Sequence, residues 1–199
     1  IIFQRGRAAA AVPLLRKALR SSNLWLRIKA AEALAAIGKP AQVAVPEMLA
    51  RLSKKASRKD PRNMEQRYLT FSLFSHNKGL IGKSVEGIDR KSLLKAVRAS
   101  LLNQDGRARG AVSSVYRNIS FDQLKPLLPA ILEAITVRAP SGIMFAHEIR
   151  MAGLELFSRQ HVAEGIELLA DYVRDMKPHA SEHRIVKVLE MLETYGAHA

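Results

Sequence analysis

The chain has 199 residues, 48% hydrophobic and 25% charged, which suits one ordinary domain or an array of small repeats and excludes wholesale disorder. The absence of cysteine excludes disulfides, thiolate zinc sites and a cysteine nucleophile, and no apolar run approaches the roughly 18 residues of a membrane span. The formal charge of +14 is local, since residues 1–100 carry 21 basic and 6 acidic side chains while residues 101–199 carry 11 and 12.

The sequence opens Ile1-Ile2-Phe3, without an initiator Met and without the basic, apolar and small-residue succession of a signal peptide. It is therefore expected to be a fragment of a longer protein, and it assigns no compartment. Apolar residues then recur at i, i+3/i+4 and i+7 in successive stretches. They predict helices at about 7–20, 23–37, 41–54, 61–76, 89–103, 106–118, 121–137, 142–158, 161–175 and 181–195. Leu24, Ile28, Ala31 and Ala35 make one stripe, with Leu34 and Ile37 beside it, and Leu93, Leu94, Val97 and Leu101 make another. Leu124 to Ile135 carries a third. Ile149, Ala152 and Leu156, then Val162, Ile166, Leu169 and Val173, then Ile185, Val188, Leu189 and Leu192 complete the series. Trp25, Tyr68, Phe71, Phe74 and Phe121 fall at helix-periodic or helix-start positions and are expected in the core. Gly38-Lys39-Pro40, Asp60-Pro61, Asp105-Gly106, Ala139-Pro140-Ser141-Gly142 and Lys177-Pro178 separate the stretches. Asn23, Asp60, Ser141 and Ser181 fit N-cap positions. No stretch sustains strand-like alternation, so the fold class is all-α.

Two echoes run through these elements. Ala11-Val12-Pro13-Leu14-Leu15 returns 33 residues later as Ala44-Val45-Pro46-Glu47-Met48-Leu49, each in a first helical turn, where proline forfeits no bond. Arginine recurs near the start of alternate helices as Arg27, Arg67, Arg109, Arg150 and Arg184. Asn23 to Leu52 resembles the HEAT-like repeat first named for the phycobilisome lyases. Arg27 is followed by the Ala-rich Ala30, Ala31, Ala33 and Leu34, then by Ile37-Gly38, then by Val45-Pro46. The match is clearest over 23–53, half-present before it and degenerate over 60–199. The resemblance implies a right-handed α-solenoid of about five HEAT-like helical hairpins, an armadillo-type superhelix forming a single domain over 1–199. It does not imply lyase activity, because the repeat serves unrelated proteins as packing architecture. Alkylpurine DNA glycosylases of the same superfamily are similar in architecture only. They work with several tryptophans and an acid in a cleft, where this chain has Trp25 alone.

The candidate chemistry is sparse. Gly82-Lys83-Ser84 has a phosphate-loop ending, but the first glycine position holds Asn77 and the preceding segment is helical, so 77–88 reads as a long, flexible link with Gly79, Gly82 and Gly87. His179 and His183 have the i, i+4 spacing of a zinc pair without its glutamate or a visible third ligand, so no metal or cofactor is expected. His147, Glu148 and His161 suit solvated or capping roles, and no catalytic set stands out. Basic residues are the strongest candidate: Arg16, Lys17 and Arg20, then Arg51, Lys54, Lys55, Arg58 and Lys59 with Arg62 beyond, then Arg90, Lys91, Lys95 and Arg98. They fall on or just after the second helices of hairpins, which line the concave face of an α-solenoid. The expected function is a non-enzymatic scaffold for an unidentified protein or peptide partner, and an acidic one would suit the basic residues, which also read as a plain solvated surface. The alternative is a nucleic-acid-binding module that uses the basic N-terminal half.

Overall fold

The computed structural model describes residues 8–55, 57–137, 146–175 and 182–196. Among these residues every regular element is helical. Helix α1 is Val12–Ala18, α2 is Leu24–Ile37, and a 3-10 turn at Lys39–Ala44 leads into α3, Val45–Leu52. Then follow α4 at Met64–Phe74, α5 at Arg90–Leu101 and α6 at Gly106–Val112, the last extended by a 3-10 turn at Ser113–Asn118. The short α7, Phe121–Leu124, runs through a 3-10 turn at Lys125–Leu127 into α8, Leu128–Thr136. Helices α9, Ala146–Arg159, α10, Glu164–Arg174, and α11, Glu182–Glu193, complete the chain. Each expected stretch holds a helix among the described residues, but 41–54, 106–118 and 121–137, expected as continuous helices, each include a 3-10 turn. Ser141, Ser181, His179 and the side chains of His147, Glu148 and Glu182 lie outside the described residues.

Local sequence explains the helix boundaries. Asn23 Oδ1 accepts from Leu26 N at 3.1 Å and starts α2, which ends where Gly38 adopts φ +77°. The carboxylate of Asp60 accepts from Met64 N and Glu65 N at 2.8 and 2.9 Å, so the expected cap of α4 acts from four residues upstream across a turn. Asp89 and Asp105 do the same for Ser92 N of α5 and Arg107 N of α6, both at 2.8 Å. Proline stands in the first turn of α1, α3 and α8, as Val12-Pro13, Val45-Pro46 and Leu128-Pro129, so the echo has a third member.

The chain divides into two compact units, Ile1–Ile149 and Arg150–Ala199. In the first, alternate helices pack on one another. Helix α2 lies on α4 and α4 on α6, while α3 lies on α5 and α5 on α8. Neighbours in sequence also touch, α1 with α2, α3 with α4 and α5 with α6. Leu34, Met48, Leu52, Leu73, Phe74 and Leu93 are fully buried between them. Each contributes on the order of 1.5–3 kcal/mol by leaving water. Thr70 Oγ1 and Ser100 Oγ share a buried hydrogen bond of 2.7 Å between α4 and α5.

Two expectations about the first unit are corrected. Trp25 is 54% exposed rather than core, because it occupies the first turn of α2 on the side away from Ile28, Ala31 and Leu34. The 77–88 link is docked rather than free. Leu80 N and Ile81 N donate to Ser72 O and Leu73 O at 2.9 Å, and Leu80, Ile81 and Val85 are buried. Gly79 and Gly82 permit that approach, since a Cβ on them would lie 2.5 Å from Leu73 O and 2.2 Å from Ser75 O.

In the second unit Met151, Leu154, Leu169, Tyr172, Val188 and Met191 pack together with Tyr195, joining α9, α10 and α11. Leu189 is 52% exposed, so the core side of α11 passes through Val188 and Met191 and not through the expected Leu189. Ser158 Oγ shares a 2.8 Å hydrogen bond with Thr194 Oγ1, and Tyr195 Oη donates to Val162 O at 2.9 Å. Arg150 stacks its guanidinium 4.9 Å from the Tyr172 ring centre.

Candidate functional site

Three of the recurring arginines, Arg27, Arg67 and Arg109, are interhelical clamps. Arg27 sits one turn into α2, and its Nη1 donates back to the carbonyls of Ser21 and Ser22 at 2.9 and 3.0 Å. Its Nε and Nη2 grip both oxygens of Glu65, in the first turn of α4, at 2.8 and 2.7 Å. Arg67 holds the same place in α4, and its Nη1 lies 2.9 Å from Asp105 Oδ2, the cap of α6. Both carboxylates follow their arginine by the same interval of 38 residues. Arg109, in the matching place on α6, is 5% exposed and donates to carbonyls instead, Asn103 O at 2.8 Å and Val137 O at 3.1 Å. Burial lowers its pKa from the usual arginine range.

Three of the candidate phosphate-binding arginines are also spent within the fold. Arg16 makes a two-pronged pair with Glu47 at 3.1 and 2.9 Å, and Arg20 reaches the same carboxylate at 2.6 Å, tying α1 to α3. The bond from Arg16, assisted by Arg20, holds the Glu47 carboxyl below its ordinary range. Arg51 shares Glu65 with Arg27. Burial pushes the Glu65 carboxyl up, but the two guanidinium groups outweigh it and hold it low. Arg90 is half-buried at the start of α5, its Nη1 enclosed by protein.

The other eight candidates are Lys17, Lys54, Lys55, Arg58, Lys59, Lys91, Lys95 and Arg98, and all are exposed. The backbone segments that carry two groups of them are linked at one end of the α3–α5 pair. Gln66 Nε2 donates to the carbonyls of Leu52 and Lys54 at 3.2 and 2.7 Å, and Gln66 Oε1 accepts from Asn103 Nδ2 at 3.4 Å. One amide thus joins the start of the 54–59 link to the end of α5. On α5 itself Lys91, Lys95 and Arg98 recur at i, i+4 and i+7, one exposed face opposite the buried Leu93, Val97 and Leu101.

The phosphate-loop reading of 82–84 finds no geometry, and His179 of the zinc spacing lies outside the described residues. Lys83 projects to solvent, Ser84 Oγ accepts from Glu86 N, and Gly82 is turned toward the end of α4, its carbonyl accepting from Asn118. His183 is exposed, and no cluster of three or more metal-ligating side chains occurs among the described residues. None of the described helices is long and apolar enough to cross a membrane.

Compared with family models, curated proteins and solved structures, the chain matches none. Sequence reasoning missed Glu47, Glu65 and Asp105 as the arginines' partners. The common interval from Arg27 to Glu65 and from Arg67 to Asp105 is the signal that would have exposed two of them.

Proposed function

We propose that the chain is a non-enzymatic scaffold, an armadillo-type α-solenoid of HEAT-like hairpins that binds a partner protein through its surface. Packing between alternate helices, the recurring arginine clamp and the Val/Leu-Pro helix starts support the repeat reading. The observation that carries the binding reading is Trp25, an indole left 54% exposed beside the half-exposed Leu26. Tryptophan is enriched among the residues that dominate protein interfaces. Meanwhile Glu47, Glu65, Asp60 and Asp105 hold helices together or cap them.

The test is affinity capture from a nuclease-treated lysate, followed by titration of each captured protein in purified form. Trp25→Ala should leave the melting temperature unchanged, because the indole is exposed. It should weaken the purified complex by about 2 kcal/mol, roughly thirtyfold. Capture that vanishes on nuclease treatment, or purified partners indifferent to Trp25→Ala, would sink the scaffold reading.

A further inference from the structure

Among the described residues, the positive charge of the first hundred is densest on the 54–59 link and on α5, where exposed cations outnumber the flanking carboxylates Asp60 and Asp89. Of their six carboxylates, Glu32 pairs with Lys29, Glu47 with Arg16 and Arg20, and Glu65 with Arg27 and Arg51. Asp60 and Asp89 cap helices, and Glu86 faces solvent in the docked 77–88 segment. No carboxylate lies within the 54–59 link or within α5. Lys54, Lys55, Arg58 and Lys59 crowd that link, and the Gln66 bridge sets its first residue beside the end of α5 that carries Arg98. From there Arg98, Lys95 and Lys91 continue along about 10 Å of helix.

We propose that this surface binds the phosphate backbone of duplex nucleic acid without reading its sequence. A duplex carries a phosphate about every 3.4 Å along each strand, and cations about 4.5 to 6 Å apart along α5 can neutralise part of that charge with release of condensed counterions. Neither the link nor α5 contains an aromatic residue, so no platform exists for the stacking that single strands demand. No large apolar side chain of residues 51–101 is exposed either. An acidic protein segment would therefore find charge here but none of the apolar anchors that make such interfaces tight. Trp25 belongs to a different helix, so this surface and the scaffold reading can stand or fall separately.

The experiment is fluorescence anisotropy of the purified chain with a mixed-sequence duplex of about 25 base pairs, titrated between about 50 and 200 mM salt. Matched titrations use a single strand of the same sequence and a polyglutamate of equal charge. Log K should fall with log salt at a slope of about −4 to −6. The quadruple variant Lys54→Ala, Lys55→Ala, Arg58→Ala, Lys59→Ala should flatten that slope by about 2 to 4 and weaken binding at least about tenfold. The triple variant Lys91→Ala, Lys95→Ala, Arg98→Ala should act in the same direction. Lys29→Ala with Lys125→Ala, exposed cations elsewhere, should change nothing. Absence of duplex binding at low salt, binding unmoved by either variant, or a preference for the single strand or the polyglutamate would each overturn the proposal. Because no partner protein is present, a failure here leaves the Trp25 test untouched.

Discussion

At the scale of single residues, Glu65 ties three helices of the first unit, α2, α3 and α4. It is the shared acceptor for Arg27 from α2 and Arg51 from α3, with the side chains of Arg27 and Glu65 only 11% and 16% exposed. Glu65→Gln keeps the shape but removes the charge that both guanidinium groups face, and should cost about 2–3 kcal/mol, read as a shift of the urea midpoint. The pH dependence has a definite sign. The carboxyl titrates lower when folded than when unfolded, so its contribution is present above about pH 4.3, the unfolded value, and drains away as pH falls through the folded one. Wild-type stability should therefore decline below about pH 4, and the decline should be shallower in Glu65→Gln. An equally steep acid limb in both proteins would show that the two arginines do not set this carboxyl's affinity for protons.

At the scale of helices and links, close approach is permitted by glycine in both units. Gly165 stands in the first turn of α10, and a Cβ there would come within 2.1 Å of Tyr195 Oη and 3.0 Å of Phe157 Cβ. Gly165→Ala should destabilise the protein by about 1–3 kcal/mol despite alanine's better helix propensity. The cost should shrink in a Tyr195→Phe background, where the obstructing oxygen is gone, and a thermodynamic cycle of the four proteins measures the coupling. Helix positions were legible because apolar periodicity, prolines and caps coincide, as at Asn23 and Pro46. Rotation about a helix axis was not legible where apolar residues are adjacent, as at Val188 and Leu189, since either fits the i, i+3/i+4 rule and only packing decides. Trp25 was misread for the same reason: a first-turn residue can face either way. The basic residues were legible as a composition. Their division into clamps and free cations depended on carboxylates 14 to 38 residues distant in sequence, beyond the reach of helix periodicity.

At the scale of the whole molecule, the uneven charge resolves into two populations. One set of arginines, Arg16, Arg20, Arg27, Arg51 and Arg67, is matched to carboxylates across helix boundaries. The other set, mostly lysines, faces water on the 54–59 link and on α5. This sorting agrees with the chemistry of the two side chains, since a planar guanidinium can grip a carboxylate with two bonds and an ammonium cannot.

The docked 77–88 segment also bears on how the native chain meets a protease. Both long links carry exposed lysines, Lys54, Lys55 and Lys59 in one and Lys78 and Lys83 in the other, so trypsin finds its target residues in each. Cleavage requires a run of backbone to peel away and enter the enzyme, and the 77–88 run is tied to Ser72, Leu73 and Ser75 by its own amides. Limited trypsinolysis should therefore nick the chain after residues 54–59 well before it cuts after Lys83, as fragment masses over a digestion time course would record. The longer connection, the obvious weak point by length, is the one a protease should leave for last.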